Sequence, residues 1–337
     1  MKAVLFYAPG DIRFEETARP AVGPGEVVVE IKAALTCGTD LKTYRRGHPL
    51  LMKKTPALFG HELAGVIAEL GPSVEGFSVG QRVVAANSAP CGRCFYCRRG
   101  HLSLCENIEF LNGAYAQFIA IPARIVEKNL LPIPDSVSFR QAALTEPLAC
   151  TIHGIERSNI LLGDIVCVIG QGPIGLMLAR LAKLRGAHVI AVDLNPFRLE
   201  KARRFGADEL VDAAAVADPV EAVCGLTPGG RGVDVTIEAV GLPDTWEQAI
   251  AMTRPAGLVN LFGGCKSGTH IQIDTRRIHY DELHIIGVFH HTPRHVHVYR
   301  DGELVVKWNL EANAPISGRI GARVRRLIAT LVREGKL

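Results

Sequence analysis

One stretch constrains the fold of this chain more than any other: Ile165-Val166-Cys167-Val168-Ile169 followed by Gly170-Gln171-Gly172-Pro173-Ile174-Gly175. A short, wholly apolar run reads as a parallel strand buried on both faces. The G-x-G-x-x-G that follows opens a helical pattern, with Pro173 and Ile174 in its first turn. Gly170 permits the tight turn, Gly172 lets a pyrophosphate approach the backbone, and Gly175 lets the helix pack closely on the strand. Asp193 ends the next strand 23 residues after Gly170, near the ~20 at which a carboxylate accepts the ribose hydroxyls of NAD. A 2′-phosphate beside Asp193 would be repelled, which favours NAD over NADP, although Arg198 nearby offers a phosphate clamp.

The alternation continues on both sides of Asp193. Helices are expected from about Pro173 to Arg185, Pro196 to Phe205 and Asp244 to Thr253, with strands at 189–192, 233–237, 257–262 and 283–288. That series predicts an α/β domain with a doubly wound parallel sheet over 151–292. Before it the style differs. Val27–Ala34, Ala64–Leu70 and Gly80–Ala85 are short β-branched runs set apart by Gly and Pro, so residues 1–150 are expected to form a β-rich, barrel-like, antiparallel domain. After Pro293 the pattern breaks again. Asp301-Gly302 between two apolar runs predicts a hairpin, and Ile320, Val324, Leu327, Ile328 and Leu331 repeat at helical spacing among arginines. Residues 293–337 therefore read as an atypical tail, a hairpin plus a basic helix.

Two groups of side chains carry metal chemistry. Cys91, Cys94, Cys97 and Cys105 fall within one loop, about 88–107, and four thiolates make a closed tetrahedral zinc site whose role is structural. Cys37-Gly38-Thr39-Asp40 and Gly60-His61-Glu62 supply a thiolate, an imidazole and a carboxylate, a mixed set that leaves zinc a position for water or substrate. The remaining cysteines, Cys150, Cys167, Cys224 and Cys265, stand in apolar or helical contexts and read as buried inert thiols. A tight thiol cluster in a long chain fits a reducing compartment, so a cytoplasmic location is expected.

With these motifs in place, the chain from Met1 to about His295 resembles the zinc-dependent medium-chain alcohol dehydrogenases, in the branch of polyol (sorbitol, iditol) and threonine dehydrogenases. The resemblance implies a GroES-like catalytic domain, two zinc ions per chain and a bound nicotinamide cofactor. It implies that Cys37 and His61 hold catalytic zinc. Glu62, or Glu146 of the Glu-Pro-Leu motif, completes the site directly or through bound water. It also implies cofactor contacts at Ile174, Asp193 and Arg198, and backbone contacts at Leu261, Phe262 and Gly263 and at Val288, Phe289 and His290. The reaction implied is reversible oxidation of a secondary alcohol, a polyol by this pattern, with Thr39 passing the hydroxyl proton outward and hydride moving to the nicotinamide. L-threonine 3-dehydrogenase is the alternative. Relatives commonly carry a histidine five residues after the zinc cysteine, where this chain has Lys42. The resemblance further implies a homodimer or homotetramer.

Composition sets the outer limits. The chain has 337 residues, 48% hydrophobic and 21% charged, ordinary for two globular domains. No apolar run reaches the ~18 residues of a membrane span, and the start does not read as a signal peptide. Residues 293–337 hold nine Lys/Arg against four Asp/Glu, so the net charge of +4 arises in the tail and the body carries −1. A near-neutral body argues against a nucleic-acid partner and for a small-molecule alcohol or ketone. Because the tail departs from the family, a second reading has the chain as a catalytically impaired scaffold that binds NAD and zinc.

Overall fold

A computed structural model of the protein describes residues 1–48 and 51–296. The hairpin and basic helix expected beyond residue 296 lie outside the described residues. The chain divides into two compact units: Met1–Ala149 together with the segment from His291 onward, and Cys150–His290.

Among the described residues of the first unit every strand pairing is antiparallel. Strands β1 (Lys2–Ala8), β2 (Asp11–Glu16), β3 (Val27–Leu35), β4 (Ala57–Leu58), β5 (Glu62–Leu70) and β6 (Arg82–Ala85) come first. They are followed by β7 (Ser88–Ala89), β8 (Glu109–Phe110), β9 (Phe118–Ile121) and β10 (Leu130–Pro132). They form a three-stranded sheet β2-β1-β4, a five-stranded sheet β10-β6-β5-β3-β9 and the pair β7-β8. Val27, Val29, Leu63, Ile67, Val83 and Ile119 fill the core against the five-stranded sheet, the face that the β-branched runs present at strand period.

The register of β3 on β5 positions the site. Leu35 stands opposite Glu62, so the chain leaving β3 toward Cys37 and the chain entering β5 from His61 share one end of the sheet. Two register shifts occur in this pairing. Gly65 lies at one of them because a Cβ there would meet the Glu30 carbonyl oxygen at 2.1 Å.

In the second unit six strands are all parallel: β11 (Ile165–Ile169), β12 (His188–Asp193), β13 (Glu209–Asp212), β14 (Val233–Glu238), β15 (Thr253–Leu261) and β16 (His284–Gly287). Their order is β13-β12-β11-β14-β15-β16, the doubly wound order whose direction reverses between β11 and β14. The helices Pro173–Leu184, Pro196–Arg204, Pro219–Gly225 and Pro243–Met252 each begin with proline, whose fixed φ suits a first turn and whose missing N–H is not needed there. Asn195 and Asp218 cap two of them, accepting from Phe197 N at 3.0 Å and Val220 N at 2.7 Å. The strand β13 and the helix Pro219–Gly225 were not expected from sequence. β15 starts at Thr253 rather than near 257, because Thr253 pairs with Val233 across a register shift.

At His291 the chain re-enters the first unit. Val296, at the end of the short helix Pro293–Val296, is buried in the cluster that holds Ala64, Val84, Leu131 and Ala149.

Candidate active site

Cys37 caps the helix Gly38–Arg46 in the place usually taken by serine or aspartate. Its sulfur accepts from Thr39 N at 3.4 Å, and Asp40 returns the contact by accepting from Cys37 N at 2.9 Å. This reciprocal cap fixes the cysteine on the first turn beside Thr39. His61 precedes β5 and Glu62 begins it, both buried. One ligand atom each from Cys37, His61 and Glu62 lie within 4.8 Å of one another.

The surroundings are those of a cation site. His61 Nδ1 is 3.1 Å from Asp40 Oδ1, which leaves Nε2 to face a metal. Burial pushes the His61 imidazole down, but Asp40, Cys37 and Glu146 outweigh it and raise its pKa to about 11. Burial pushes Glu62 up to about 7, with the charge of Glu146 adding to the effect and His61 opposing it. Buried acids crowded around one imidazole are a donor set that a divalent cation would relieve. One thiolate, one imidazole and one carboxylate are three ligands of the kinds zinc takes in sites that keep an open position. Glu146, in the first turn of the helix Thr145–Arg157, is buried in the same unit and stands outside the three-donor group.

Four further residues shape this neighbourhood without a place in the expected donor set: Asp40, Tyr115, Asn87 and His291. Asp40 was legible in hindsight, since an acid three residues after an N-cap is the reciprocal capping pattern. Tyr115 donates from Oη to Asp40 Oδ2 at 2.6 Å, a contact across 75 residues that no local pattern signals. His291 Nε2 is 3.0 Å from Asn87 Oδ1 and 3.8 Å from Glu146 Oε1. The segment after the last sheet strand thus brings a buried imidazole to Glu146. Lys42 is exposed on the helix Gly38–Arg46.

The cysteine loop gathers as expected: the sulfurs of Cys91, Cys94, Cys97 and Cys105 lie within 4.8 Å of one another. Cys105 Sγ accepts from Cys91 N at 3.2 Å and Asn107 N at 3.4 Å. Backbone N–H from Arg93 lowers the Cys91 thiol to about 6, whereas burial and the neighbouring sulfurs raise Cys97 to about 12. Amides aimed at sulfur favour thiolates, the form a closed zinc site requires. Elsewhere, Cys167 is fully buried in β11 and burial pushes its thiol up, as for an inert core cysteine.

In the second unit the three glycines of the motif take distinct parts. Gly170 has φ +90°, open to glycine. A Cβ on Gly175 would stand 1.7 Å from the Gly170 carbonyl oxygen, whereas one on Gly172 would meet nothing within 4 Å. The open space at Gly172 lies at the N-terminus of the helix Pro173–Leu184, where Pro173 and Ile174 begin the first turn, a ready-made cradle for a pyrophosphate. Asp193 ends β12 with Oδ2 accepting from Gln171 N at 2.6 Å and Oδ1 from Asn195 N at 2.9 Å. Arg198 Nη1 is 3.7 Å from its Oδ2, with its side chain half exposed. Leu261, Phe262 and Gly263 lie at the carboxyl end of β15, and Val288, Phe289 and His290 follow β16. The Gly263 carbonyl accepts from Trp246 Nε1 at 2.9 Å, and the His290 carbonyl is 2.6 Å from His153 Nδ1. Ligands of open parallel sheets bind outside these carboxyl ends.

A GroES-like half with an open metal site and a dinucleotide-binding half define a class, and the comparisons place the chain in it. The description "Alcohol dehydrogenase GroES-like domain" matches residues 23–135, and "Zinc-binding dehydrogenase" matches residues 173–301. Sorbitol dehydrogenase of Bacillus subtilis (strain 168) is 35% identical over 309 residues, covering 90% of this chain and 84% of the relative. L-threonine 3-dehydrogenase of Pyrococcus horikoshii is 36% identical over 270 residues, covering 78% of this chain and 76% of the relative. Among solved structures, a zinc-binding dehydrogenase from Sinorhizobium meliloti 1021 bound to NADP aligns with TM-score 0.80 at 30% identity, over 100% of this chain and 89% of that one. The 2R,3R-butanediol dehydrogenase from Bacillus subtilis aligns with TM-score 0.77 at 28% identity, over 99% of this chain and 97% of that one. The chain belongs to the zinc-dependent alcohol dehydrogenases. It is an oxidoreductase of alcohols that uses zinc and a nicotinamide cofactor. Among the described residues no helix is long and apolar enough to cross a membrane.

Proposed function

We propose that the protein interconverts a secondary alcohol of the polyol class and its ketone, with NAD as hydride carrier. The observation that carries this reading is the convergence of Cys37, His61 and Glu62 on one point from two separate segments of the chain. The relatives named sorbitol and butanediol dehydrogenase support a substrate with more than one hydroxyl.

Cys37, His61 and Glu62 would hold the catalytic zinc, with Glu146 acting from the surrounding shell. When bound there, zinc supplies Lewis acidity, which brings the pKa of water from 15.7 to about 7 and acts likewise on an alcohol oxygen. Asp40 holds His61 with its proton on Nδ1. Thr39, on the first helical turn beside Cys37, receives the substrate hydroxyl proton at Oγ1 and passes it outward. In the second unit, Gly172 and the N-terminus of the helix Pro173–Leu184 take the pyrophosphate, and Asp193 takes the ribose. Cys91, Cys94, Cys97 and Cys105 would hold a structural zinc. The family resemblance supports a homodimer or homotetramer, and the clustered thiols suit a reducing, cytoplasmic setting.

A panel of polyols, vicinal diols, simple secondary alcohols and threonine, each with NAD and NADP, tests the reading. Turnover is expected with polyols and NAD; turnover with threonine alone would replace the polyol assignment with the threonine one. The NAD preference has its own test in Asp193→Ser. Losing hydrogen bonds to a charged group costs about 1.5–3 kcal/mol, so kcat/KM for NAD should fall about 10- to 100-fold, while that for NADP holds or rises. An unchanged ratio of the two would remove Asp193 from cofactor selection.

A further inference from the structure

We propose that Tyr115 is a positioning residue for the metal centre, fixing the Asp40 carboxylate that orients His61 and bracing the turn at Gly60 that delivers it. The inference rests on the reading that Cys37, His61 and Glu62 hold zinc.

Tyr115 meets both halves of the donor set. Its hydroxyl is 2.6 Å from Asp40 Oδ2 and 2.9 Å from the Leu35 carbonyl oxygen. Oδ2 of Asp40 also accepts from Cys37 N at 2.9 Å. With two donors on Oδ2 the carboxylate is held against rotation, and Oδ1 is left to face His61 Nδ1 at 3.1 Å. A carboxylate at that distance favours the imidazole tautomer with the proton on Nδ1, which would leave the lone pair of Nε2 for a metal. Through this chain of bonds a phenol hydroxyl sets the orientation of a ligand it does not touch.

The ring of Tyr115 acts on the other segment. Gly60 has φ +85°, and a Cβ there would stand 2.8 Å from three atoms of the Tyr115 ring. The backbone just before His61 therefore lies directly on the aromatic face. Tyr115 N donates to the Phe59 carbonyl at 2.9 Å, and Ala114 N donates to the Gly60 carbonyl at 2.9 Å. One residue thus joins the cysteine-bearing helix start to the histidine-bearing turn. The two contacts are chemically separable, because Tyr115→Phe keeps the ring under Gly60 and removes only the hydroxyl, with its contacts to Asp40 and to the Leu35 carbonyl.

The test is zinc uptake against buffered free zinc, on the full chain, with the catalytic-site step identified as the one lost in Cys37→Ser. Outer partners of metal ligands contribute about 10- to 100-fold in affinity, and Tyr115→Phe is expected to weaken the catalytic-site step by about tenfold, the lower end of that range. The cysteine-loop step should stay as in the wild type. Tyr7→Phe, which removes a hydroxyl bonded to Glu15 at 2.9 Å on β1 and β2, should change neither step. In an Asp40→Asn background Tyr115→Phe should add no further loss, since the hydroxyl acts through Asp40. Catalytic-site affinity equal to the wild type, equal weakening of both steps, or additive losses in the double variant would each overturn the proposal. A wild-type chain that takes up zinc only at the cysteine loop would instead overturn the site assignment on which it rests.

Discussion

Cys37→Ser is expected to lower kcat/KM by at least about 10³, roughly 4 kcal/mol at about 1.4 kcal/mol per tenfold, without unfolding the chain. The size follows from what the site has to supply. An alcohol proton is some nine pKa units from leaving at neutral pH, and a Lewis acid covers that gap, as it does for water brought from 15.7 to about 7. Without the thiolate, His61 and Glu62 are left to hold the ion as two donors, and occupancy falls with activity. The fold survives for a local reason. Cys37 is the N-cap of the helix Gly38–Arg46 and accepts from Thr39 N, and serine is the better capping residue of the two. Metal analysis beside steady-state kinetics checks the prediction: one zinc in place of two, little turnover and a thermal transition that stays cooperative and is lowered only by the stabilisation the lost ion supplied. A variant that keeps both zinc ions and its activity would remove Cys37 from the site.

The second large effect belongs to the cysteine loop. Within residues 91–107 the only buried residues are Cys97 and Cys105, while Phe95 and Leu104 are at least half exposed. The sheet that closes the loop, β7-β8, is only two residues long on each strand. Such a segment has no apolar core of its own, so the ion supplies its folding free energy, which for zinc-finger peptides is about 10–16 kcal/mol. Cys97→Ser should therefore open the loop while the sheet core around Val27, Leu63 and Ile119, which contains no loop residue from 91 to 107, remains packed. Arg93, Arg98 and Arg99 are exposed in the loop and give trypsin its targets. Cleavage there should accelerate by at least about 10³, the equivalent of losing about 4 kcal/mol of protection against local opening. Cleavage at the wild-type rate, with one zinc missing, would mean that the loop is held by contacts other than the metal.

What could be read from sequence was what is local. The apolar run of β11, the glycines after it and Asp193 lie close together in the chain, and each has a fixed structural meaning. The same holds for the four cysteines and for the His61-Glu62 pair. The strand Glu209–Asp212 escaped because four residues, one of them buried, are too few to display a period. The helix Pro219–Gly225 escaped because its seven residues give no more than two turns of pattern, although Asp218 and Pro219 mark its start. Within the site, the contacts that orient the ligands were beyond reach for a different reason. Tyr115 meets Asp40 across 75 residues and His291 meets Asn87 across 204. The pairing of β3 with β9, the backbone bond from Tyr115 to Phe59 and the return of the chain at His291 bring such residues together. The tail beyond residue 296 lies outside the described residues.

Crystals of the zinc-loaded protein, measured on either side of the zinc absorption edge, would locate the ion assigned to Cys37, His61 and Glu62. Two anomalous peaks per chain are expected, one among Cys91, Cys94, Cys97 and Cys105. The other should lie about 2.3 Å from Cys37 Sγ and about 2.0–2.1 Å from His61 Nε2, with a carboxylate oxygen of Glu62 as third protein ligand. A single peak in the cysteine loop, or a second one away from Cys37 and His61, would contradict the assignment of this chain's chemistry to those side chains.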